Sequence, residues 1–204
     1  MLVFGVISPH PPIIIPSIGG RETQKVAKTI SALEAAARQM ADAKPGKVII
    51  IAPHREHGYE VPLYYLGRHL DPNIETEKLL VTNPSYHFYY DLGQQYGTEI
   101  VRSRQRTAII ASADLSHVLK DEGPYGYHPA GPQLDQIIVK AVKEKDVNGL
   151  LRIDSELLRN GAECGLRSIL FLFGVFSGQD YSTEVLFYEG PFGVGYMVAT
   201  FSLL

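Results

Sequence analysis

Four short segments combine imidazole, carboxylate or thiol groups with residues that reverse the chain. They are His10 in Ser8-Pro9-His10-Pro11-Pro12, His54 in Ala52-Pro53-His54, Asp114 and His117 in Ser112-Ala113-Asp114-Leu115-Ser116-His117, and Glu163 with Cys164 between Gly161 and Gly165. Each of the first three follows an apolar run, so the groups stand where strands give way to turns and can converge on one metal ion or substrate. Neutral imidazoles from His10 and His54 with one carboxylate oxygen make a two-histidine, one-carboxylate facial set, which leaves positions on Fe(II) open for a bidentate ligand and dioxygen.

His117 suggests a different task. An imidazole near its ordinary pKa can take a proton from a phenolic hydroxyl and return it later. Asp114, three residues earlier, can orient or polarise that ring, sharing a face with it if the segment begins a helix, or can simply cap that helix. In Gly161-Ala162-Glu163-Cys164-Gly165 both acidic and thiol side chains can ligate. A carboxylate suits oxygen-activating iron, a thiolate draws the site toward softer ions, and the choice between Glu163 and Cys164 stays open. His57 lies close enough to His54 to support it from behind. His128, flanked by Tyr125 and Tyr127, either lines a substrate pocket or packs within its loop. The glycines of Gly190-Pro191-Phe192-Gly193-Val194-Gly195-Tyr196 lack the strand-to-helix context of a dinucleotide site and read as a hairpin.

The elements that must position these groups alternate between strand and helix. Met1–Ser8 reads as a strand, Arg21–Ala43 as a helix with Val26, Ile30, Leu33, Ala37 and Met40 on one face, and Val48–Ile51 as a strand covered on both sides. The stretch Gly58–Pro84 has mixed periodicity and predicts one or two short strands. Helices are expected over Tyr86–Arg102, Pro132–Glu144, Asp154–Arg159 and Gly165–Val175, and strands over Thr107–Ala111, Val185–Tyr188 and Val194–Phe201. This order predicts an α/β fold, one domain over residues 1–204, with a central mostly parallel or mixed sheet flanked by helices and its functional groups at strand carboxyl ends.

Composition narrows the function. A net charge of −3 and the lack of an arginine-rich stripe speak against nucleic acid as a partner. Charged residues interrupt every apolar run before it reaches membrane-spanning length, and no secretory signal is recognisable, so the expectation is a cytoplasmic protein with no membrane partner. The single cysteine rules out an intrachain disulfide.

Phe4–Pro16 (FGVISPHPPIIIP), Ile49–His57 (IIIAPHREH), Ala108–His117 (AIIASADLSH), Gly123–Pro132 (GPYGYHPAGP), Gly161–Ile169 (GAECGLRSI) and Tyr188–Tyr196 (YEGPFGVGY) together resemble the LigB-like superfamily of class III extradiol ring-cleavage dioxygenases, in particular the domain associated in some relatives with Memo and radical-SAM proteins. The resemblance implies metal ligation by His10, His54 and Glu163, with His117 as catalytic acid/base and Asp114 as the acidic residue before it. Memo-type relatives use a cysteine near the last ligand position, which Cys164 would match. The resemblance further implies extradiol cleavage of a small aromatic diol by dioxygen on Fe(II), with Zn(II) or Mn(II) as other metals, in a homo-oligomer or beside a separate partner protein. A metal-dependent hydrolase and a noncatalytic metal- or ligand-binding protein are the alternatives, because one scaffold hosts several chemistries.

Overall fold

Apolar β-branched runs form the centre of the molecule. A computed structural model describes all residues 1–204 and places β1 (Leu2–Ser8), β2 (Lys47–Ala52), β3 (Glu75–Leu80), β4 (Thr107–Ser112), β5 (Tyr181–Glu189) and β6 (Tyr196–Leu203) in one sheet of order β3-β2-β4-β1-β6-β5. Strands β3, β2, β4 and β1 run parallel, and β6 and β5 close the sheet antiparallel, so the sheet is mixed. Because successive side chains point to opposite faces, Ile49 and Ile51 enter one core with Ile109 while Val48 and Ile50 enter the other with Ile110. Both cores are apolar, as a doubly covered parallel sheet requires.

The helices are α1 (Pro16–Gly19), α2 (Ala27–Asp42), α3 (His57–Leu66), α4 (Tyr86–Arg102), α5 (Ala130–Glu144), α6 (Val147–Leu151), α7 (Ser155–Gly161) and α8 (Leu166–Phe176). Helices α2 and α3 cover one face; α4, α5 and α8 cover the other. Helix α8 is apolar nearly all round and lies against α4 at a contact that only glycine permits. A Cβ on Gly93 would fall 2.1 Å from the Phe171 carbonyl oxygen, and one on Gly174 would fall 2.2 Å from that of Tyr90. No helix is long and apolar enough to cross a membrane.

Two sequence expectations change. Gly58–Pro84 holds α3 as well as a single strand, β3: Pro62 and the clustered tyrosines blur the helical period, yet Tyr59, Val61, Tyr65 and Leu66 are buried on one side. The expected helix over Arg21–Ala43 starts as a 3-10 stretch, Gly20–Val26, and becomes α-helical at Ala27; along it Val26, Leu33, Ala37 and Met40 are buried and Ile30 is half-buried.

Candidate metal centre

Strands β2, β4 and β1 are parallel neighbours, so their carboxyl ends lie side by side at one edge of the sheet. Ser8 pairs with Ser112 in register, and two residues beyond each stand His10 and Asp114; His54 stands two beyond the end of β2. The sequence delivers the three groups to one place because each strand stops after the same apolar run. The His10 and His54 rings come within 5.5 Å, and His57, at the start of α3, lies 5.4 Å from His54 and 5.7 Å from His10.

His10 is 2% exposed and its orientation is fixed from two sides. Its Nδ1 lies 2.9 Å from the Ser112 hydroxyl, and its main-chain N–H donates to Asp114 Oδ1 at 2.9 Å. Nε2 is therefore the free nitrogen, and it faces the Cys164 thiol at 3.6 Å, with Asp114 Oδ2 also 3.6 Å away. Ligand atoms of His10, His54 and Cys164 all lie within 4.8 Å of one another. Nitrogen and sulfur bound tetrahedrally to one ion at about 2.1 and 2.3 Å stand about 3.6 Å apart, so this donor set fits a metal.

Electrostatics matches that use. Burial, reinforced by the neighbouring imidazoles, holds His10 well below the usual histidine range, and burial with His57 nearby lowers His54, so both rings favour the neutral, ligating form. Burial, with Asp114 and Glu163 adding like charge, pushes the Cys164 thiol well up. Asp114 is raised to about 6 by burial, against the opposing pull of the His10 N–H and the imidazoles.

The structure does not bring Glu163 to the imidazoles. Its carboxylate turns the other way, accepting from the Tyr86 hydroxyl at 2.9 Å and from the Leu166 N–H at 2.5 Å, with the Arg167 guanidinium 3.9 Å off. It thus closes the first turn of α8, where orphan N–H groups attract a carboxylate. Asp114 also differs from expectation. No helix begins there, and its hydrogen bond goes to His10 rather than to His117.

His117 stands at the wall of a cavity of about 470 Å³, a volume within the small-molecule range. His10, His54, His57 and Asp114 share that cavity, and Pro11, Pro12 and Pro124 give it rigid apolar edges. The His117 Nδ1 is buried and has no hydrogen-bond partner. Tyr125 meets its ring edge-on at 5.6 Å. His128 and Tyr127 lie outside: His128 is exposed and its Nδ1 accepts from the Ala130 N–H at 3.1 Å, while Tyr127 is 52% exposed. Sequence reasoning missed three wall residues, Phe192, Val194 and Tyr196. Their only signal was the Pro191–Tyr196 turn, which a bridge between Asp114 and Tyr196 carries to the site.

Comparison with known proteins bears on the family and the fold. The chain is 27% identical to Protein CA_C1420 of Clostridium acetobutylicum in a match that covers 93% of this chain and 55% of that one, so it spans about half the length of that relative. The crystal structure of the uncharacterized protein JW3007 from Escherichia coli K12 superposes with a TM-score of 0.57 over 98% of this chain and 99% of that one; at 8% identity it speaks for the fold alone. Residues 55–199, which include Asp114, His117, Cys164 and Tyr196 and begin just after His54, match the model of the catalytic LigB subunit of aromatic ring-opening dioxygenase, and the chain belongs to that LigB family.

Proposed function

We propose that this chain is a metal-dependent enzyme of small aromatic diols, of the ring-opening dioxygenase type, with His10, His54 and Cys164 as metal ligands and His117 as the proton-handling residue. The observation that carries the proposal is the placement of His117 at the wall of the cavity that also exposes the paired imidazoles. A bound redox-competent ion such as Fe(II) would supply the means of combining dioxygen with an electron-rich ring, which a closed-shell diol does not do unaided. The His117 imidazole takes the proton of a diol hydroxyl and returns it to the product. Ser112 and Asp114 hold His10 with Nε2 turned toward Cys164, where it would be free to ligate a metal, in the manner of outer-shell partners that fix ring orientation. Proline and aromatic walls limit water around the reacting groups.

Cys164 favours a second reading. A thiolate beside two imidazoles suits softer ions, Zn(II) or Cu(I), better than the carboxylate set expected for Fe(II). A hydrolase or a noncatalytic binding protein would use the same ligands without consuming oxygen. Anaerobic titration with Fe(II), Mn(II) and Zn(II), followed by dioxygen and a panel of catechols, separates the readings. The expected result is one metal per chain in the native protein and in His117→Ala, with ring-opened product from the native protein alone. Loss of a general acid/base typically costs about 10²–10⁴ in rate. Metal binding without oxygen uptake on any diol, or activity with Zn(II) alone, would favour the second reading, and loss of metal in His117→Ala would remove the division of roles.

A further inference from the structure

Three tyrosines are 2% exposed or less, and two of them have bonded hydroxyls: Tyr65 donates to the Ile14 carbonyl, and Tyr89 accepts from the Thr82 and Asn83 N–H groups. The third is Tyr196, also 2% exposed, whose hydroxyl has no hydrogen-bond partner within the chain, whereas its side chain lines the cavity with His10, Asp114 and His117. A buried phenol normally finds a partner, and one left without it at a cavity wall is available to a ligand.

Its backbone is held beside the catalytic turn. Tyr196 bridges Asp114, the Leu115 N–H donates to the Gly195 carbonyl at 2.8 Å, and the Gly195 N–H donates to the Ser116 carbonyl at 2.8 Å. Burial, with the Asp114 and Glu189 carboxylates nearby, pushes the Tyr196 phenol above its ordinary pKa, so it remains protonated and able to donate.

The charge of the wall is the second observation. No lysine or arginine lines the cavity, whereas the Asp114 carboxylate does. Two lysines beside the Pro191–Phe192 turn are engaged: Lys25 pairs with Glu22 at 2.6 Å and lies 5.8 Å from the Phe192 ring centre, and Lys120 donates to the Pro191 carbonyl at 3.1 Å. A ligand carboxylate away from the metal would lose water without a lysine or arginine in the lining to pair it, and beside the like charge of Asp114.

We propose that Tyr196 sets ligand choice in this cavity: its hydroxyl donates to an uncharged oxygen on the ring substituent of a diol, and the cavity rejects diols that carry a carboxylate. The inference rests on the metal-and-diol reading above and narrows its substrate class. The edge of Tyr125 and the ring of Phe192 supply the apolar surface for the ring itself, while the diol oxygens address the metal and His117.

The test uses Zn(II)-loaded protein, in which the diol binds without being consumed, and three probes: 3,4-dihydroxyacetophenone, 4-ethylcatechol and 3,4-dihydroxybenzoate. Zinc uptake is measured first and by itself, so failure of the metal centre is recorded separately from failure of ligand choice. The three probes are also titrated onto metal-free protein, following the imidazole resonance of His117. Calorimetry is expected to show the ketone binding about tenfold or more tightly than the carboxylate. Tyr196→Phe, which keeps the ring, should weaken the ketone by about fivefold and leave 4-ethylcatechol and zinc affinity unchanged. Equal or tighter binding of the carboxylate, equal loss of all three probes in Tyr196→Phe, or no binding of any probe in either metal state would overturn the proposal.

Discussion

Replacing Cys164 by alanine should change how many protons a metal displaces. In the free protein His10 and His54 are held low and are neutral at pH 7.5, and Asp114, raised only to about 6, is already ionised. The Cys164 thiol is pushed well above its ordinary value, so it keeps its proton until a metal competes for the sulfur. Binding through two neutral imidazoles and this thiol therefore releases about one proton, and metal affinity rises about tenfold, or 1.4 kcal/mol, for each unit of pH between 7 and 8. Cys164→Ala removes the titrating ligand. Release falls toward zero, the slope flattens, and affinity drops by more than the roughly 10–100-fold that loss of an outer-shell partner costs. Anaerobic Zn(II) calorimetry in buffers of differing ionisation heat counts the protons directly. A native release well under about half a proton, or one that survives in Cys164→Ala, refutes a thiol ligand at this site.

Glu163→Gln should leave zinc stoichiometry and affinity unchanged while lowering urea stability by about 1–2 kcal/mol, because it weakens the charged cap on the Leu166 N–H; loss of metal instead would return the carboxylate to the ligand set. Gly93→Ala places a Cβ 2.1 Å from the Phe171 carbonyl oxygen and must separate α4 from α8, so the melting temperature should fall by roughly 5–10 °C; an unchanged melt would show that the helices yield freely. Asp135, 1% exposed, accepts from the Ser116 N–H at 2.8 Å and the Tyr188 hydroxyl at 2.6 Å, yet burial raises its pKa to about 6. The folded state thus holds this proton more tightly than the unfolded chain, and native stability should decline by about 2 kcal/mol as pH rises from 4 to 6. Asp135→Asn should lack that part of the decline, and parallel urea-stability curves for the two proteins across this range would contradict the assignment.

Central strands were legible because their sequences permit little else. Val48–Ile51 and Thr107–Ala111 are short, apolar and β-branched, and both are buried from end to end. Helix α4 spans the expected Tyr86–Arg102, and the structure adds the cap that fixes its start: the Ser85 hydroxyl accepts from the Phe88 N–H. Helix α3 was not, because Pro62 removes an N–H from its interior and its stability comes from burial of Tyr59 and Tyr65 against α2 and the first turn, contacts that no local pattern records. The short α6 was missed for a related reason: five residues hold too little periodicity, and its cap at Asp146 gave the main signal.

Adjacent Glu163 and Cys164 are alike to the sequence and are separated by the backbone. Both can ligate, and one residue of phase separates them. Helix α7 ends at Ala162 in the left-handed region, φ 49°, and the chain then drops onto the end of β4. It can do so because residue 165 is glycine: a Cβ there would lie 2.6 Å from the Ala113 Cα and 2.7 Å from the Asp114 carbonyl oxygen. That close approach puts the preceding side chain, Cys164, 3.7 Å from the same carbonyl and 3.6 Å from His10 Nε2. Glu163, one residue further back, is thereby turned toward the start of α8 and Tyr86. The position of the thiol beside His10, and of the carboxylate away from it, thus follows from a glycine contact between two segments some 50 residues apart in sequence. It also predicts that Gly165→Ala, by lifting the loop from β4, would cost metal affinity before any ligand is changed, with zinc titration as the check and an unaltered affinity as the result that breaks the argument.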